Sequence, residues 1–134
     1  MASTSIETRD RTEWQDITAL VADAVASSGV AHGVCHVFVP HTTAGVTINE
    51  NADPSVVRDI NATLDRLVPW SGDYTHREGN SAAHIKSVLV GSSVAVAVEG
   101  GELRLGTWQG IYFCEFDGPR HRQVQVQVVG SSKR

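Results

Sequence analysis

The chain has 134 residues, 41% apolar and 19% charged, with a net charge of −4, which fits one α+β-sized domain spanning residues 1–134 around a single core. The negative balance excludes a broad nucleic-acid-binding face, which must be basic, and leaves room only for a local basic pocket that takes one small anion. No apolar run approaches the roughly 20 residues of a membrane span, and Met1 to Glu7 lack the regions of a secretion signal, so a cytoplasmic protein with no membrane or nucleic-acid partner is expected.

Residues from about Ser5 to Arg11 alternate weakly and predict a first strand. From about Asp16 the period changes: Ile17, Leu20, Val21, Ala24 and Val25 fall on one helical stripe, and Gly29 supplies a stop. Val30 to Val39 is valine-rich and loosely alternating, which reads as a strand, and Pro40 marks its end. Thr42 to Ile48 is β-branched enough for another strand. Asp53-Pro54 is a helix opening, with aspartate as cap and proline at the first helical position. That helix carries Val56, Val57, Ile60, Leu64 and Leu67 and ends before Pro69. Pro69 to Asn80 has no period and reads as a long loop. Asn80 or Ser81 would cap a short helix around His84, Ile85, Val88 and Leu89, stopped by Gly91.

The last third is β. Val94, Val96 and Val98 alternate, Gly100-Gly101 can form a two-residue hairpin turn, and Leu103 and Leu105 resume the alternation. Trp108 to Phe116 is a further strand, Asp117 to Arg120 a turn, and Gln123 to Val129 a half-buried strand of alternating Gln and Val; Ser131 to Arg134 reads as a frayed tail. Strands clustered late and joined by hairpins favour an α+β fold with a mainly antiparallel sheet, two main helices and one short helix. The two cysteines, Cys35 and Cys114, have no metal or redox spacing and are read as buried free thiols.

Chemistry concentrates in two stretches. His41 to Pro54 holds a histidine, two hydroxyls and the polar cluster Asn49, Glu50, Asn51 and Asp53. The second stretch runs from His76 to His84. Three imidazoles meeting beside a carboxylate are the make-up of a divalent-metal site; the plainer reading is three unrelated hydrogen-bonding histidines, because no short-range metal signature is present. Glu50 is the candidate acid or base, with Asn49 to orient a substrate; its plainer role is to favour a helix dipole. Asp53 is explained equally well as a helix cap. His32 and His36, four apart in a strand, are expected to face solvent.

Gly106-Thr107-Trp108-Gln109-Gly110 is unusual strand filler, since glycines at both ends let a ligand or another backbone approach; core packing of Trp108 is the alternative. Lys86, Arg104, Arg120 and Arg122 are the cations available to a phosphate.

Taken together, His41-Thr42-Thr43-Ala44, Asn49 to Pro54, His76 with Glu78-Gly79-Asn80, Ala83 to Lys86 and Leu105 to Gly110 resemble the YjbQ-like family, an uncharacterised family later labelled secondary thiamine-phosphate synthase. The resemblance runs from about Ile6 to Gly130, and Gly-Thr-Trp-Gln is its most specific part. It implies an α+β domain that forms a homotrimer. It also implies a pocket in which His41, His76 and His84 hold a divalent metal beside Asn49, Glu50 and Asp53. Three imidazoles suit zinc, iron or manganese better than magnesium. The Glu115-Phe116-Asp117-Gly118-Pro119-Arg120 motif adds Glu115 and Arg120. The expected function is metal-dependent chemistry on a small phosphorylated metabolite, with Glu50 and Asp53 catalytic and Asn49, Lys86, Thr107, Trp108, Gln109 and Arg120 binding substrate. The alternative is a trimeric module that binds such a metabolite without turnover.

Overall fold

The computed structural model describes residues 1–132. In chain order it contains β1 (Ala2–Glu7), β2 (Glu13–Asp16), α1 (Thr18–Ser28), β3 (His32–Phe38), β4 (Ala44–Glu50), α2 (Pro54–Leu67), α3 (Ser81–Val90), β5 (Ser93–Glu99), β6 (Glu102–Leu103), β7 (Gln109–Glu115) and β8 (His121–Ser131). The expected α+β class holds, and every strand pairing is antiparallel. The strands divide into a five-stranded sheet, β1-β8-β3-β5-β6, and a three-stranded sheet, β2-β7-β4.

Local chemistry explains most boundaries. Asp53 caps α2 by accepting the Ser55 amide at 2.9 Å, with Pro54 in the first turn. Gly29 ends α1 with φ of 73°, in the left-handed region where a side chain is disfavoured. Gly100 and Gly101, at φ of 59° and 77°, make the tight turn that pairs Glu99 with Glu102. Three expectations shift. The first strand lies at Ala2–Glu7 rather than Ser5–Arg11, because β8 pairs it from Val126 to His121. Ser131 belongs to β8 rather than to a tail, while Lys133 and Arg134 lie outside the described residues. The strand Glu13–Asp16 had no alternating pattern to betray it and exists through its pairing with β7.

The main core lies between the two sheets, closed by α1. Cys35, Val37, Val96, Val98, Val124 and Val126 come from the larger sheet, Ala44, Val46, Ile111 and Phe113 from the smaller, and Val21 and Val25 from α1. A second cluster occupies the other face of the small sheet, where Tyr112, Cys114 and Phe116 meet Ala83 of α3 and, less deeply, Val57 and Leu64 of α2. The central strand β7 is thus covered on both faces, which is why it reads as an unbroken apolar run from Ile111 to Cys114. Cys35 and Cys114 are free and buried, as expected, and burial pushes the Cys114 thiol well up. Among the described residues no helix is long and apolar enough to cross a membrane.

Candidate functional site

The loop between β3 and β4 (Pro40 to Thr43), the end of the loop before α3, and the turn before β8 come together at one end of the molecule. They enclose a hollow of about 440 Å³ lined by His41, Thr42, Thr43, His76, Glu78, Asn80, His84, Arg120 and Arg122, with Pro40 at the edge. The three histidines singled out from the sequence therefore face one space. His76 and His84 stand edge to face with ring centroids 5.3 Å apart. A larger groove of about 700 Å³ runs between α1 and the β1–β8 edge. Its lining mixes Leu20, Ala24, Val126 and Val128 with Thr4, Asp23, Ser27, Ser28 and the N-terminal Met1, and it holds none of the residues singled out from the sequence as candidate site residues.

A buried ion pair supports the hollow. Along β7, Glu115 is in phase with Ile111 and Phe113; along β8, Arg122 is in phase with Val124 and Val126. Both charged side chains thus point between the sheets, where Glu115 is fully buried and Arg122 is 5% exposed. The Arg122 guanidinium donates to both Glu115 carboxylate oxygens and, at 2.8 Å, to the Thr43 hydroxyl. Glu115 also accepts the Thr8 hydroxyl at 2.7 Å and the Asp117 amide at 3.0 Å. Satisfied in this way, the pair fixes the loop carrying His41 and Thr43 to the start of β8.

His41 feels that pair. Partial burial and the Arg122 cation hold its imidazole below the usual histidine range, against the opposing pull of Glu115. The Gln123 amide donates to His41 Nε2 at 2.9 Å. An accepting Nε2 carries no proton, so neutral His41 bears its proton on Nδ1 and is a hydrogen-bond donor there. Across the hollow, Arg120 is held by Asp117, donating from its Nε to the backbone carbonyl and from its terminal nitrogen to the carboxylate, each at 2.9 Å. The same Asp117 carboxylate accepts the Asn80 amide nitrogen at 2.9 Å. Asn80 sits at the cap position of α3, yet its side chain does not cap the helix, and its buried Oδ1 has no hydrogen-bond partner among the described residues.

The donor set does not fit a three-imidazole metal centre. Nε2 of His41 is spent on Gln123 and its Nδ1 carries the proton, so this ring offers no lone pair to a metal. Among the described residues no three His, Cys, Asp or Glu side chains are grouped closely enough to hold an ion. What remains is a group of donors, from imidazoles, hydroxyls and the Arg120 guanidinium, suited to an anion, with one carboxylate, Glu78, beside them.

The other predicted residues lie elsewhere. Strand β4 starts at the hollow and ends at Glu50, a rise of roughly 20 Å, so Asn49 and Glu50 occupy the opposite end, where Glu50 pairs with Gln109 and Asn49 with Gly110. Asn49 Oδ1 accepts the Glu50 amide at 2.7 Å, and Asp53 is consumed as the α2 cap. Thr107, Trp108 and Gln109 share that far end. Gln109 accepts the Gly106 amide at 2.8 Å, and Trp108 is 64% exposed, so it is not packed in the core. Lys86 is buried and paired with Asp65 of α2, with its ammonium 6.0 Å from the Phe116 ring centre, so it ties two helices together and does not reach the hollow. His32 and His36 are exposed, as expected. Of the sequence-derived set, His41, His76, His84 and Arg120 converge. Asn80, Thr42, Thr43 and Glu78, which the sequence marks only as members of the family motifs and, for Asn80, as a helix cap, join them. Arg122 was placed only among the available cations; its phase with Val124 and Val126 on β8 marks it as inward-facing, which would have called for a buried carboxylate.

A two-sheet antiparallel α+β domain with a polar, imidazole-lined hollow at one end of β4 defines the structural class. Residues 2–131 match the family described as UPF0047 protein YjbQ-like, and the chain belongs to that family. It is 53% identical over 125 residues to a UPF0047 protein of Methanocaldococcus jannaschii, covering 93% of this chain and 91% of that one. It is 51% identical over 126 residues to the UPF0047 protein YugU of Bacillus subtilis, covering 93% and 96%. Among solved structures, an uncharacterised YjbQ/UPF0047 protein of Clostridium acetobutylicum superposes with a TM-score of 0.95 at 56% identity, over 96% of this chain and 100% of that one. A hypothetical protein of Aeropyrum pernix does so with a TM-score of 0.92 at 37% identity, over 97% and 98%.

Proposed function

We propose that the protein binds a small phosphorylated metabolite in the hollow between His41, His76, His84 and Arg120. The observation that carries this reading is the convergence of three imidazoles, a guanidinium and two threonines on one 440 Å³ space. Arginine and imidazole N–H groups are strong donors to phosphate oxygens, and the His41 tautomer adds a donor at Nδ1. Glu78 stands 3.9 Å from His76 Nε2 at the rim of the same space. In its enzymatic form the reading is thiamine-phosphate synthesis, in which the thiazole-phosphate nitrogen bonds to the pyrimidine methylene carbon as the C–O bond to diphosphate breaks and diphosphate leaves, with Arg120 and the imidazoles holding phosphate oxygens. Glu50 and Asp53 have no part in it, since both stand at the far end of β4. The homotrimer belongs to the same proposal, supported by the exposed apolar side chains Val34, Phe38 and Val129 on the outer face of the large sheet.

Isothermal titration with inorganic phosphate, against His84→Ala and Arg120→Ala, tests the reading. Binding that weakens at least ten-fold in both variants is expected. Stabilisation by zinc, lost in His84→Ala, with no response to phosphate, would replace it with a metal-centred reading.

A further inference from the structure

A second hollow, about 380 Å³, opens beside the first and shares His41, Thr42 and His84 with it; Ser87, Val88, Gly91 and Ser92 complete its lining. The two spaces meet across the His41 and His84 rings, but their chemistry differs. The first carries Glu78, Arg120 and Arg122, whereas among the described residues the second has no Asp, Glu, Lys or Arg in its lining. Most of the polar atoms near this second space are already engaged by the fold. The Ser87 hydroxyl donates to the Ala44 carbonyl at 2.7 Å. The Gly91 carbonyl accepts the Val46 amide, the Gly91 amide donates to the Ser87 carbonyl, and the Ser92 carbonyl accepts the Val39 amide. With those groups satisfied internally, the wall presents mainly hydrocarbon, led by Val88, whose side chain stands 81% exposed at the rim. Polar atoms bonded within the protein add little affinity for a ligand, while an apolar wall next to a charged hollow rewards an apolar group attached to the anion.

We infer that the ligand is amphiphilic: a phosphorylated head in the hollow of His76 and Arg120, joined to a compact uncharged ring or short chain that packs against Val88 in the adjoining hollow. The inference rests on the phosphate reading above and narrows it to a substrate class. His84 lines both spaces, so one imidazole can touch the head and the body together. A bare phosphate, or a sugar phosphate bristling with hydroxyls, leaves the second space without apolar contact.

The test compares inorganic phosphate with phenyl phosphate on the full chain, by titration calorimetry and by proton NMR with methyl-labelled valine. Phenyl phosphate is expected to bind about ten-fold or more tightly than phosphate, the return from burying one ring, and its ring protons to give cross-relaxation to the Val88 methyls. Because Val88 is exposed, its replacement leaves the fold intact. Val88→Ser should cut the phenyl-to-phosphate ratio to about two-fold or less, and Val88→Leu should preserve it. Phosphate binding with a ratio near one in the wild-type protein, or a ratio unchanged in Val88→Ser, would overturn the inference and leave the phosphate reading standing. Failure of both probes to bind would remove the two together.

Discussion

Replacing Glu115 with alanine is the sharpest perturbation of the scaffold beneath the site. The glutamate is fully buried and accepts from Thr8, Asp117 and twice from Arg122. Its removal leaves a guanidinium that is only 5% exposed with Thr43 as its remaining hydrogen-bond partner among the described residues. An uncompensated buried charge of this kind costs about 3–5 kcal/mol. For a chain of this length the unfolding entropy is about 0.3 kcal/mol per kelvin, so Tm should fall by roughly 10–18 °C. Scanning calorimetry, with urea unfolding as a second measure, reads the loss. Removing both charges, as Glu115→Leu with Arg122→Met, should recover at least half of it, because no lone ion is then left inside. A loss under about 1 kcal/mol in Glu115→Ala, the worth of an exposed pair, would show that water reaches Arg122 and would refute the reasoning.

Three further outcomes follow from the same geometry. Acid should weaken the fold through His41. Its folded-state affinity for protons is depressed below the ordinary value of 6.5, so between the two values the unfolded chain binds more protons and stability falls as pH drops below 6.5. In His41→Gln that part of a Tm-against-pH profile should flatten. Asp53→Ala should lower Tm by fraying α2, Asp53→Asn should not, since asparagine caps as well as aspartate, and calorimetric titration should find phosphate binding unaltered in both. Trp108→Ala should change stability by no more than about 0.5 kcal/mol in urea unfolding, because the ring is 64% exposed, and should leave phosphate binding unchanged.

Much of this architecture is legible in the residues, and the limits have physical causes. Asp53-Pro54, Gly29 and Gly100-Gly101 announce their elements because caps and positive-φ turns depend on local chemistry alone. Strand β2 does not, because four residues with one apolar side chain, Trp14, carry no period. The division into two sheets is equally hidden, since it depends on which distant strands pair with β7.

At the site, the joint placement of His41, His76 and His84 agrees with what the family resemblance implies. The assignment of Glu50 and Asp53 to the same pocket fails for a simple reason. The resemblance implies one pocket for both groups, yet β4, a strand the sequence itself predicts from Thr42, separates its two ends by about 3.3 Å per residue. A loop in place of β4 would have kept them together. Arg122 was hidden by its company: flanked by His121 and Gln123 it reads as a wet strand end, and only the phase of Val124 and Val126 places it inside.

The central claim is that the hollow of His76, His84 and Arg120 is an anion site. An anomalous difference map from crystals soaked in tungstate, a heavy tetrahedral stand-in for phosphate, tests it most directly. The account predicts a tungsten peak within hydrogen-bond reach of His84 and Arg120, lost in crystals of Arg120→Ala. Tungsten found only at the Glu50 end of β4 or in the groove beside α1, with the hollow empty, would contradict it.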